Sequence, residues 1–162
     1  MKNIFFRTVI SISLGAIPGA LGRYYITELA KSIFSQNLSY YGTFFINVSG
    51  CFMIALFYTL NEQKFKSLSP EIRLMITTGF CGAYTTFSTF GLETFSQIDQ
   101  GNTTIALIYW LSSIVLGMLG VQLGVILGSL NSTSNYSDFL VNKPGFLISR
   151  KDAKPQSKKG RE

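Results

Sequence analysis

Polar and apolar positions in this chain segregate over whole helical lengths. Charged residues are absent from 8–22, 40–61, 74–92 and 100–137. A hydrocarbon core roughly 30 Å thick is crossed by about 20 apolar residues rising about 1.5 Å each, and the last three stretches meet that length unaided. The first is shorter, but apolar character continues past Gly22 through Tyr24, Tyr25 and Ile26, with Arg7 and Arg23 placed to snorkel from the two ends of one helix. This predicts a fourth span and argues against reading Lys2, Arg7 and the apolar run after them as a cleaved signal peptide. The predicted helices run over about 4–30, 40–61, 70–95 and 103–130. They describe an all-α membrane protein with four transmembrane helices in one domain over 1–130, small enough that any pathway is expected to need oligomerisation.

Composition narrows the chemistry. Only 14% of the 162 residues are charged, against roughly 25% in an average soluble domain. With no His, this chain alone cannot build a Ser-His-Asp or Cys-His triad, a zinc site with His ligands or a His proton shuttle, and an enzyme is not expected. Cys51 and Cys81 both fall inside predicted spans and read as small packing residues rather than a disulfide framework. The net charge of +6 is concentrated at the end of the chain, where residues 138–162 hold seven Lys/Arg against three Asp/Glu. Residues 131–162 therefore read as a basic, solvated, disordered cytoplasmic tail whose charge suits weak attraction to anionic lipid better than nucleic-acid binding.

Polar side chains are expensive in hydrocarbon, so those inside the spans ask for a reason. The third span puts three Gly and six Thr/Ser into residues 77–91. β-Branched Thr loses rotamer freedom in a helix, Ser and Thr compete for backbone hydrogen bonds, and Gly leaves the backbone loose. Two readings stand with equal weight: a helix interrupted over 82–86, whose freed carbonyls suit a hard cation such as Na⁺, or a Gly/Ser/Thr-rich helix packed tightly on its neighbours. In the second span Thr43 and Asn47 share a face, and the Asn47 amide serves equally as a donor to a passing ion or as an interhelical hydrogen bond. In the fourth, Tyr109 and Ser113 form a hydroxyl strip that runs into Gly117, while Gly120, Gly124 and Gly128 recur every four residues and predict close helix contact. Arg23 beside Tyr24 and Tyr25 is either an interfacial anchor or a mouth residue that concentrates anions.

These motifs, taken in order, resemble the CrcB/Fluc family of bacterial fluoride channels. The resemblance covers about residues 10–130 and rests on Gly19-Ala20-Leu21-Gly22-Arg23-Tyr24, on Gly42-Thr43 with Asn47 and Gly50, and on Gly79-Phe80-Cys81-Gly82 with Thr85-Thr86-Phe87-Ser88-Thr89-Phe90. It implies an antiparallel, dual-topology dimer with the third helix interrupted mid-membrane, two fluoride pores and a structural Na⁺ at the interface. By that resemblance the main-chain carbonyls of Gly82 and Thr85 hold Na⁺, Phe87 and Phe90 line the pores, Asn47 donates to the ion, and Tyr109 and Ser113 form the hydroxyl track. Arg23 belongs to a vestibule, Thr43 and Glu93 support the path, and Gly117 stands where the track would continue with another hydroxyl.

The residues suit that chemistry independently. A strongly hydrated anion needs hydrogen-bond donors or positive aromatic edges at every step, and Asn47, Tyr109, Ser113 and the Phe rings offer both. No carboxylate lies within the four charge-free stretches, and with no His and no nucleotide motif there is no evident energy source, which favours passive fluoride efflux through the bacterial inner membrane over pumping; a coupled transporter of another small ion or molecule is the alternative. Lys2, Arg7, Lys64, Lys66, Arg73, Lys143 and Arg150 fall on the side of the termini, and only Arg23 and Lys31 opposite, predicting cytoplasmic N- and C-termini. The second subunit is then either the same chain or a related one of opposite orientation.

Overall fold

The computed structural model describes residues 2–34, 40–63 and 68–130, and every regular element among them is helical. The tail expected over 131–162 lies outside the described residues. Helix α1 spans Lys2–Phe34, α2 Tyr40–Gln63 and α3 Pro70–Leu74. A π-helical segment, Met75–Cys81, leads into the single turn α4, Gly82–Tyr84, followed by α5, Phe87–Asp99, and α6, Thr103–Ser129.

Three helices are long and apolar enough to cross a membrane: Ile4–Phe34, Tyr40–Glu62 and Thr103–Ser129. The segment from Pro70 to Asp99 is not among them because it is divided, its longest piece having 13 residues. Its start is well specified. Ser69 Oγ accepts from the Ile72 N–H at 3.4 Å and Pro70 occupies the first turn, where its missing N–H costs nothing. Arg7 Nη2 pairs with Glu71 Oε1 at 3.0 Å, bringing the start of α1 to the start of α3.

Packing follows the logic of a lipid solvent. In α6 the buried positions are Ala106, Tyr109, Gly117, Gly120, Gly124 and Gly128, while Leu107, Ile108, Leu111, Met118 and Leu123 face outward. Lipid solvates large apolar side chains as well as a protein core does, so helices gain by close backbone approach at small residues instead. The α6 glycines lie along α2: a Cβ at Gly124 would stand 2.5 Å from Phe52 O, 2.9 Å from Leu56 N and 3.0 Å from Ala55 Cβ, and Gly128 lies against Thr59. Contacts advance in the same direction on both helices, so α6 runs parallel to α2. Helix α1 crosses the π-helical segment equally closely, with Gly79 against the Ile12 carbonyl and Gly15 against the Met75 carbonyl.

This contact predicts a graded response to one methyl group. Gly124→Ala should cost about 1–3 kcal/mol through overpacking against the α2 backbone. Gly117→Ala, whose Cβ would meet Cys51 Sγ at an ordinary 3.5 Å, should stay within about 1 kcal/mol of the parent. Thermal unfolding in detergent checks the order; equal costs would contradict the close contact.

Candidate functional site

The site grows from the backbone between α4 and α5. Helical dihedrals end at Tyr84; Thr85 (φ −79°, ψ 157°) and Thr86 (φ −149°, ψ 117°) are extended, and α5 restarts at Phe87. Hydroxyls close both ends. Thr85 Oγ1 and Thr85 N both donate to the Cys81 carbonyl, at 2.9 and 3.0 Å, which caps the outgoing turn. Thr86 Oγ1 accepts from the Thr89 N–H at 3.2 Å as the N-cap of α5 and donates to Thr89 Oγ1 at 3.0 Å.

Asn47 of α2 supplies the remaining partners. Its Nδ2 donates to the Thr86 carbonyl at 3.1 Å, and its Oδ1 accepts from the Thr86 N–H at 2.9 Å. One side-chain amide thus replaces both bonds that a continuing helix would have given Thr86. The structure therefore gives Asn47 a backbone partner across 39 residues of sequence, while one Nδ2 hydrogen remains for another acceptor.

A cavity of about 420 Å³ opens beside this turn and gathers Asn47, Gly82, Thr85, Phe87, Phe90 and Ser113, with both free thiols, Cys51 and Cys81, also in its wall. Phe87 is 84% exposed and Phe90 only 7%, their ring centroids 6.0 Å apart. Ser113 Oγ donates to the Tyr109 carbonyl at 2.7 Å, as Ser112 Oγ does at 3.2 Å, leaving the oxygen lone pairs of both hydroxyls for other donors. Gly82 is exposed, with open space where a Cβ would stand. Among the described residues no cluster of three His, Cys, Asp or Glu could hold a metal. The donor set at this turn is main-chain and hydroxyl oxygen, which suits a hard monovalent cation and not a soft one.

Tyr109 and Thr43 lie apart from that cavity. Tyr109 lines a second one, of about 310 Å³, with Tyr40, Tyr41, Phe44 and Ser112. The two are joined by aromatic contacts, Phe90 to Tyr109 at 5.0 Å between centroids and Tyr109 to Tyr40 at 5.4 Å. Arg23 lines neither; its carbonyl accepts from Thr27 Oγ1.

Glu93 carries more here than its place at the edge of a charge-free stretch implies. Its Oε1 accepts from Thr43 Oγ1 and its Oε2 from Tyr109 Oη, each at 2.9 Å, with Thr43 only 1% exposed. Two hydroxyls expected to serve an anion are thus pointed at a tethered carboxylate, which joins α2, α5 and α6. Sequence reasoning also passed over Ser49 and Tyr84, whose hydroxyl oxygens lie 2.9 Å apart with Tyr84 stacked on Phe80 at 5.8 Å. For this pair the sequence carries no signal beyond two polar residues in apolar stretches.

Glu93→Ala should strand two partly buried hydroxyls and cost about 1–3 kcal/mol, whereas Tyr109→Phe leaves Glu93 bonded to Thr43 and should cost about 1 kcal/mol. Denaturation of both variants in detergent tests this; an equal or smaller loss for Glu93→Ala would contradict the bridging role.

Residues 10–125 match the family described as CrcB-like protein, Camphor Resistance (CrcB). The chain is 47% identical over 124 residues to the fluoride-specific ion channel FluC of Trichormus variabilis, covering 76% of this chain and 90% of the relative. It is 42% identical over 130 residues to the FluC of a Synechococcus strain, covering 80% and 98%. The FluC of Acidobacterium capsulatum is 45% identical over 118 residues, covering 73% and 93%.

Proposed function

The chain belongs to the CrcB/Fluc family, and from that membership we propose that it is a fluoride-selective ion channel through which fluoride leaves the cytoplasm passively. The observation that carries this reading is the cavity that brings Asn47, Phe87, Phe90 and Ser113 to one wall, together with relatives named as fluoride-specific channels. Fluoride holds its water tightly, and a selective path must offer equivalent partners. The free Nδ2 hydrogen of Asn47 and the positive edges of Phe87 and Phe90 provide them at the cavity; the Tyr109 and Ser113 hydroxyls, with Thr43 beside them, continue the track by turning to the ion the protons they here give to Glu93 and to the Tyr109 carbonyl. Arg23 draws anions to the mouth from a membrane boundary. Under a negative-inside potential, anions leave without any energy source, at about 2.3 kcal/mol per charge for each 100 mV.

The functional unit in this proposal is an antiparallel dimer in the bacterial inner membrane, with four spans per subunit and two pores. The third span is the divided segment: its extended residues Thr85 and Thr86 lie mid-membrane, tolerable there because protein and the cavity surround them. The exposed apolar side chains Phe87, Leu92 and Phe95 of α5 offer the face that a second subunit covers. The main-chain carbonyls of Gly82 and Thr85 would hold a structural Na⁺; the open space at Gly82 and the main-chain and hydroxyl oxygens of the turn suit such a hard ion. When bound, it would neutralise carbonyl dipoles and hold the two turns together. Both termini lie in the cytoplasm.

Liposomes loaded with potassium fluoride or potassium chloride and containing the assembled channel test the proposal with an ion-selective electrode. Fluoride efflux should exceed chloride efflux by about 100-fold or more, equivalent to about 2.7 kcal/mol. Phe87→Ile and Phe90→Ile should each lower fluoride flux at least about tenfold without loss of assembly, since an aliphatic side chain has no positive edge. Comparable fluoride and chloride fluxes would point to a different transporter and overturn the reading.

A further inference from the structure

The turn between α4 and α5 is held on its near side by Tyr84, the last residue of α4, which is 4% exposed. Its ring stacks on Phe80, with centroids 5.8 Å apart and planes at 7°. Glycines of two helices flank it: a Cβ at Gly22 of α1 would stand 3.5 Å from Tyr84 Cδ2, and one at Gly50 of α2 would stand 3.5 Å from Tyr84 Cδ1. The two edges of the ring therefore face two different helices. The hydroxyl at its tip meets α2 again. Tyr84 Oη lies 2.9 Å from Ser49 Oγ, and Ser49 Oγ donates its single proton to the Ile46 carbonyl at 3.1 Å, so the Tyr84 hydroxyl is the donor of the pair.

The carbonyls beside this slot lose their helical partners together. In a continuous helix the Gly82 carbonyl would accept from the Thr86 N–H, and the Thr85 carbonyl from the Thr89 N–H. Both donors are engaged elsewhere: the Thr86 N–H donates to Asn47 Oδ1 at 2.9 Å, and the Thr89 N–H to Thr86 Oγ1 at 3.2 Å. The Thr85 N–H and hydroxyl both point back to the Cys81 carbonyl. Release alone does not aim a carbonyl. It turns with its peptide plane, and that plane is set by the residues on either side. Asn47 fixes Thr86, which follows Thr85; Tyr84 fixes the position before Thr85 and two after Gly82. The two anchors form successive rungs, Asn47 to Thr86 and Ser49 to Tyr84, with Thr85 between them and its methyl group against Gly50.

We propose that Tyr84 is a positioning residue for the cation of the channel: Ser49 and the slot between Gly22 and Gly50 hold its side chain, and through it the directions of the Gly82 and Thr85 carbonyls. The inference rests on the sodium reading given above and adds the residues that shape the site without touching the ion. A hard monovalent cation gains from several oxygens only when they converge, so a loosened turn costs cation affinity before it costs the fold. Removing the Tyr84 hydroxyl leaves the Asn47 bracket, the ring on Phe80 and both carbonyls in the chain.

The test follows the thermal unfolding midpoint of the assembled channel in detergent as NaCl replaces N-methylglucamine chloride at constant ionic strength. An ion that binds only the folded protein raises the midpoint, and the concentration at which the rise sets in follows its dissociation constant. Tyr84→Phe, which keeps the ring, and Ser49→Ala should each move that onset to at least about fivefold higher Na⁺, and the double variant no further than either alone. Ser49→Thr, which keeps the hydroxyl, should behave as the parent. Either single variant suffices where the other fails to fold. A midpoint lowered equally at every Na⁺ concentration, with the onset unmoved, would make the Ser49–Tyr84 pair a packing contact and overturn the inference alone. A parent whose midpoint ignores Na⁺ would overturn the sodium reading and the positioning role with it, while fluoride efflux from liposomes judges the channel reading separately.

Discussion

The reciprocal pair of hydrogen bonds between Asn47 and the Thr86 backbone is the constraint on which the rest of the site depends. A helix that stops inside an apolar bundle leaves N–H and C=O groups that cost about 1–3 kcal/mol each when buried without partners. Here the cost is met locally by the Thr85 and Thr86 hydroxyls and at long range by one amide that both donates and accepts. With Thr86 held, α5 restarts at Phe87 after two extended residues, and Phe87 and Phe90 join Asn47 in the wall of one cavity. A carboxylate at position 47 would accept from the Thr86 N–H but could not donate to its carbonyl, and a hydroxyl would have to do both from one atom, whereas the amide does so from two.

The same lipid constraint shapes the scaffold. Apolar side chains gain nothing by turning inward when the solvent is hydrocarbon, and α6 turns its glycines to α2 while its large residues face out. The close backbone contact of α2 with α6 carries Asn47 and Thr43 on one helix past Tyr109 and Ser113 on the other. Glu93 then joins both helices to α5 through two hydroxyl donors. A carboxylate bordering the proposed anion pathway is electrostatically unfavourable to it, and Thr43 and Tyr109 meet that charge with their own protons.

The long helices were legible because their signal is length and hydropathy, both local quantities; α1, α2 and α6 show it plainly. Close helix contact along α6 was legible in the four-residue spacing of Gly120, Gly124 and Gly128, for which chemistry offers few other uses, but that α2 is the partner was not. The segment rich in Gly, Ser and Thr was ambiguous, since those residues serve a tightly packed helix and an interrupted one alike. The arrangement there depends on Asn47, far away in sequence. Glu93 was underweighted for a related reason: charge patterning treats a carboxylate as the boundary of a span, whereas its role is set by Thr43, fifty positions earlier, and by Tyr109. The π-helical geometry of Met75–Cys81 had no signal in composition and accompanies the close crossing of Gly79 with α1.

Site-resolved hydrogen exchange at the Thr86 amide, compared between the parent and Asn47→Ala in the same lipid, tests the central claim most directly. If Asn47 holds the turn, protection at Thr86 falls about tenfold or more in the variant, while amides in the middle of α6 exchange as before. Unchanged protection at Thr86 would contradict the account, because the geometry of the site would then be held by something other than this bracket.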